Sequence, residues 1–204
     1  YMPLVLGIFA VLAGSGLLVS DEENGLLDLL LAYPVSRNRF FLGRLLAFVA
    51  ATVAILVIIW LGFVVAMRWS TLLDIGPLNM ALPFLSLLAE LLFFGTLALM
   101  LSLLLPSRRQ AAMFAGLVLV VSFFLTSLAR VDERLETVAQ LSPLNYYPSG
   151  EAITGLNGMW FIGLLGVSLL LVAFAGWRFE WRDIRVGGEG SWRLPLLRRR
   201  RATP

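Results

Sequence analysis

Glu90 stands alone in an apolar run that extends from about Met80 to Leu105. A carboxyl group in that setting has three uses: a hydrogen bond to a Ser or Thr across a helix pair, a place on a substrate path or subunit interface, or proton coupling. If ionised and unpaired there, it costs a few kcal/mol. A second group of acids, Asp21, Glu22 and Glu23, precedes the run Leu26-Leu27-Asp28-Leu29-Leu30-Leu31, which ends at Tyr33-Pro34. Negative charge suits the N-terminal end of a helix dipole, and a residue before proline is steered out of the helical region. Leu26, Leu27, Leu30 and Leu31 share one face, with Asp28 pointing elsewhere, so the stretch predicts an interfacial helix over about 22–33. Ser36 then fits as the cap of the next helix. The acids of this helix are either solvated or turned toward a partner.

What is missing narrows the chemistry further. All 16 basic residues are arginine, and the 204 residues include no Lys, His or Cys. Zinc sites of the His/Cys kind, Cys nucleophiles, Ser-His-Asp triads, Schiff-base lysines and Walker A lysines are therefore excluded from this chain. Disulfides are excluded with them. No metal or cofactor is expected to bind the chain itself.

The elements that must position these acids are hydrophobic throughout. Hydrophobic residues make up 59% of the chain and charged ones 14%, with a mean hydropathy of +0.88. Crossing about 30 Å of hydrocarbon takes roughly 20 mostly apolar residues, and five such runs occur, at about 2–20, 40–67, 80–105, 110–129 and 158–177. The expected fold is an all-α membrane protein, a polytopic bundle of five transmembrane helices. The remaining polar stretches, 130–157 and 178–204, are too short for a separate soluble domain of ordinary size.

Arginines mark the orientation, because cytoplasmic loops retain positive charge. With the first connector inside, 13 arginines lie on the cytoplasmic side, Arg37, Arg39 and Arg44 among them, against Arg68, Arg130 and Arg134 outside. This puts the C-terminus in the cytoplasm and Tyr1 outside. Tyr1 is not a start methionine, so a further helix ahead of it is expected, giving six spans in the full subunit; a cleaved signal peptide is the alternative.

The outer segment 130–157 carries Val131, Leu135, Val138 and Leu141 at helical spacing, then Pro143, Tyr146, Tyr147 and Pro148. An amphipathic interfacial helix and a turn are expected there, with Tyr146 and Tyr147 as interfacial anchors or an outer gate. Residues 186–204 form a basic tail, whose Arg198 to Arg201 suit anionic lipid rather than nucleic acid.

The stretch from Glu23 to Arg37 resembles the signature of type 2 ABC transporter permeases, roughly E-x-G-T-L-E-x-L-L-x-x-P-V-S-R after their second span. Leu26 stands where that family usually has Thr or Ser. Phe179-Glu180-Trp181-Arg182-Asp183-Ile184 is similar to the family's F-x-x-R-D-I ending, and Leu141-Ser142-Pro143 to its L-S-P before the last external helices. The resemblance extends over about 1–185 and implies that the 22–33 segment is a cytoplasmic coupling helix seated in an ATP-binding subunit. Glu22, Glu23, Gly25 and Asp28 would then face the ATPase, while Pro34, Ser36 and Arg37 set the angle at which the second span begins. It also implies short re-entrant helices that lid the outer side.

The function implied is ATP-driven export of a hydrophobic or amphipathic substrate across a bacterial cytoplasmic membrane. ATP and Mg would sit on two partner subunits, and the permease would pair with itself or a homologue. Two other classes fit the composition: a membrane enzyme acting on lipid, and a scaffold that transports nothing.

Overall fold

The structure, a computed structural model, describes residues 1–23, 36–67, 69, 76–129, 131, 138, 140, 142–146 and 157–181. Six α-helices occur among them: α1 Met2–Gly16, α2 Val19–Glu23, α3 Arg37–Met67, α4 Pro77–Leu104, α5 Arg108–Ala129 and α6 Gly158–Trp181. A short 3-10 turn, Pro143–Tyr146, precedes α6. No strand occurs among the described residues. Helices α3, α4, α5 and α6 are each long and apolar enough to cross a membrane. At this hydrophobicity only helices and closed barrels satisfy the backbone without water.

The first expected span divides into two pieces. α1 covers 15 residues, and the chain then tightens: the Leu17 amide bonds to the Gly14 carbonyl at 3.3 Å and the Asp21 amide to the Leu18 carbonyl at 3.2 Å. Local causes are visible on both sides of the joint. Ser15 Oγ bonds back to the Leu12 carbonyl, which weakens a helix at that point, and a Cβ on Gly16 would lie 3.0 Å from the Arg108 guanidinium. The other spans begin two or three residues earlier than expected, or, for α6, run on to Trp181. The added residues are polar ends such as Arg37-Asn38-Arg39 and Arg178-Phe179-Glu180, which can stay helical beyond the hydrocarbon.

α4 is the axis of the bundle. Of its apolar stretch 61% is buried, against 17% in α3 and α6 and 28% in α5. Three clusters define its neighbours. Ala10, Leu87 and Leu91 meet Phe48 and Leu56; Val11, Phe94 and Ala98 meet Ala115, Leu119 and Leu144; Leu18, Leu99 and Leu103 meet Phe41, Ala175 and Phe179. Read along α4, these show α1 and α6 running with it and α3 and α5 against it.

Lipid tails give no hydrophobic drive between helices, so close packing has to hold them together. The tightest approach is α1 on α4. A Cβ on Gly14 would fall 2.1 Å from the Gly95 carbonyl oxygen, and one on Gly95 would fall 2.2 Å from the Phe48 ring. Glycine at position 14 admits the approach of α1 to α4, and glycine at position 95 admits the Phe48 ring of α3.

Candidate functional site

Charged side chains gather at one end of the bundle, where α1 gives way to α2 and where α3 begins. Asp21 pairs with Arg44, whose guanidinium also lies 5.4 Å from the centre of the Phe40 ring. From the start of α5, Arg108 donates to Ser20 Oγ at 3.5 Å. At the start of α3, Asn38 donates its amide to Glu180 Oε1 and Arg37 donates to the Glu180 carbonyl at 3.5 Å. These contacts join α2, α3, α5 and α6 in one belt. Described residues shortly before and after positions 24–35 are thereby tied to α3, α5 and α6.

Ser36 and Arg37 stand at the exposed start of α3, and Ser36 supplies its carbonyl to the Phe40 amide at 3.1 Å. Glu22 and Glu23 are the last residues of α2. Gly25, Asp28, Pro34 and Tyr147 lie outside the described residues, as does most of the expected 22–33 helix. Ser20, Asn38, Arg44, Arg108 and Glu180 were not singled out as site residues from the sequence. Their only signal was position, each within a turn or two of a span end.

Near the middle of α4, Glu90 is fully buried. Neither carboxyl oxygen has a hydrogen-bond partner among the described residues. The contrast with the buried hydroxyls is sharp. Thr52, Thr96, Ser102 and Ser168 each bond to a carbonyl three or four residues back in their own helix, a solution open to a short hydroxyl side chain in an apolar bundle. A Ser or Thr partner across the bundle was one expectation for Glu90; the described residues supply none.

Beside this turn of α4 lies an apolar cavity of about 500 Å³, lined by Phe93, Pro143, Tyr146, Met159, Trp160, Gly163, Leu164 and Val167. The 3-10 turn forms one wall. Ser142 fastens it, donating to the Ser122 carbonyl at 3.0 Å and lying 3.0 Å from Thr126 Oγ1. Tyr146 donates to the Gln140 carbonyl at 2.8 Å and meets Trp160 edge to face, ring centres 5.6 Å apart. Tyr146 is thus a wall residue of a cavity at the opposite end of the bundle from the charged belt.

Among the described residues no group of His, Cys, Asp and Glu side chains could hold a metal ion. A family model described as ABC-2 family transporter protein matches residues 1–184. No protein of curated function matches the chain.

Proposed function

This chain belongs to the ABC-2 transporter family, and on that premise we propose that it is the membrane-spanning subunit of a bacterial ABC exporter. As a permease component it is a non-enzymatic, multi-pass membrane protein that works with an ATP-binding subunit. In the proposed assembly two such subunits bind and hydrolyse ATP with Mg, and the permease pairs with itself or with a homologue in the cytoplasmic membrane. The belt of Asp21, Arg44, Arg108 and Glu180 faces the cytoplasm, in line with the arginine asymmetry. The cargo is a hydrophobic or amphipathic molecule, in keeping with the apolar walls of the described cavity.

The observation that carries this reading is the belt itself. The residues that flank positions 24–35 in sequence are bonded to other helices: Ser20 to Arg108 of α5, Asp21 to Arg44 of α3, and Asn38 and Arg37 to Glu180 of α6. A push on that segment by a closing ATPase is then felt by several helices at once. A ligand-driven change needs such a differential contact in its two states.

Replacing Glu23 and Asp28 together by Arg tests the coupling role. The expected result is loss of co-purification with the ATP-binding subunit, or at least a tenfold fall in permease-stimulated ATP hydrolysis. Unchanged recovery together with unchanged hydrolysis would remove the coupling assignment.

A further inference from the structure

The mid-span carboxyl group and the neighbouring cavity lie at the same level of the bundle. α6 runs beside α4 in the same direction, with Ala175 and Phe179 in one cluster with Leu99 and Leu103. The cavity-lining residues of α6, Trp160 to Val167, therefore lie level with the turn of α4 that carries Glu90. On α4, positions three and four residues beyond Glu90 are its neighbours along the helix surface. Phe93 lines the cavity, while Phe94 packs with Leu144 of the 3-10 turn. The same turn presents Pro143 and Tyr146 to the cavity. The turn thus borders both the cavity and the stretch of α4 that follows Glu90.

From this arrangement we propose that the cavity and Glu90 together bind a lipophilic cation, with the 3-10 turn as the door between them. The proposal rests on the permease reading and names the class of cargo. Charge complementarity selects the ligand. Glu90 has both oxygens buried without a partner among the described residues, and no Arg occurs in α1 or in the interiors of α3, α5 and α6 at that depth. A group that pairs with the ionised carboxylate has to bring positive charge from outside these helices. The cavity supplies what the rest of such a ligand needs: apolar walls from Leu164 and Val167 and the rings of Phe93, Tyr146 and Trp160, whose faces attract cations. The door is held by a few hydrogen bonds, Ser142 to Ser122 and Thr126 and Tyr146 to Gln140. Exchanging these for others would let the turn move without breaking a helix.

The test uses the full permease, reconstituted with its ATP-binding subunit, and tetraphenylphosphonium as the probe. Saturable binding is expected in the native protein, at least tenfold weaker in Glu90→Gln, largely kept in Glu90→Asp, and reduced in Tyr146→Ala. A neutral probe of similar size should not compete. Equal affinity in the native protein and Glu90→Gln, or competition by the neutral probe as strong as by a second lipophilic cation, overturns the cation site. Because competition is measured on the native protein, a misfolded variant does not blunt the test. Recovery of the ATP-binding subunit, followed in the same preparations, reports separately on the permease reading. A complex that assembles and hydrolyses ATP but shows no tetraphenylphosphonium binding sinks the site alone; a chain that binds the probe but recruits no ATPase sinks the permease reading alone.

Discussion

Arg44 and Asp21 form the ion pair that joins α2 to α3, and their exposures differ: 42% for Arg44 and 15% for Asp21. A pair so placed is partly screened and contributes on the order of 0.5–1 kcal/mol, so its value lies in direction rather than strength. Glu90 is the opposite case, fully buried and without a hydrogen-bond partner among the described residues. Burying such a group costs stability that an apolar side chain of similar volume would not. Glu90→Leu is therefore expected to stabilise the detergent-solubilised protein, by about 1–3 kcal/mol, while abolishing cation binding. Thermal unfolding followed by circular dichroism checks this; a lower melting temperature would mean that the carboxyl group holds a structural contact after all. Glu90 was visible in the sequence as a lone acid in an apolar run. Its lack of a partner was not, because that depends on which helix faces close over it.

At the level of elements, the contact of α1 with α4 sets the geometry of the bundle. Gly14→Ala would drive a methyl group into the Gly95 carbonyl, where the separation is 2.1 Å. Backbone cannot step aside as a side chain can, so the expected loss is about 3 kcal/mol or more. Gly62→Ala is the matched control: nothing lies within 4 Å of its Cβ position, and helix propensity favours the change by up to about 1 kcal/mol. Comparing the melting temperatures of the two variants separates packing from propensity; similar values would show that the close approach is dispensable. The glycines could be read as small residues suited to close contacts. Which of them touch a neighbour could not, since Gly14 and Gly62 look alike in sequence and differ only in what faces them.

For the molecule as a whole, the belt at one end and the 3-10 turn at the other stand at the two ends of α4 and α6. Motion at the belt is expected to reach the turn through these helices. Because the chain contains no cysteine, a single introduced thiol reports on one position without background. In Leu144→Cys the thiol should react slowly with a membrane-impermeant maleimide at rest, since Leu144 is buried. Labelling should rise at least tenfold when the assembled complex turns over ATP. Equal rates with and without ATP would leave the turn a fixed plug. The exposed apolar faces, such as Met113, Leu117 and Phe124 on α5 and Ile162, Leu169 and Leu170 on α6, leave ample surface for lipid and for a second permease subunit.

The chain's amino acids alone determine that it is a helical membrane protein, because run length and hydropathy answer to the thickness of hydrocarbon and not to neighbours. They also exclude whole classes of catalysis, since a missing Lys, His or Cys is missing in every conformation. The pattern from Glu23 to Arg37 carries the family likeness for a similar reason: its meaning is local. Only the tertiary structure decides that α4 is the axis, that Ser20, Arg44, Arg108 and Glu180 close a belt, and that Glu90 lies level with an aromatic cavity walled in part by a short turn. These are contacts between residues tens of positions apart, fixed by which helix faces interlock, and a one-dimensional pattern of apolar residues that is nearly uniform around each helix cannot specify them.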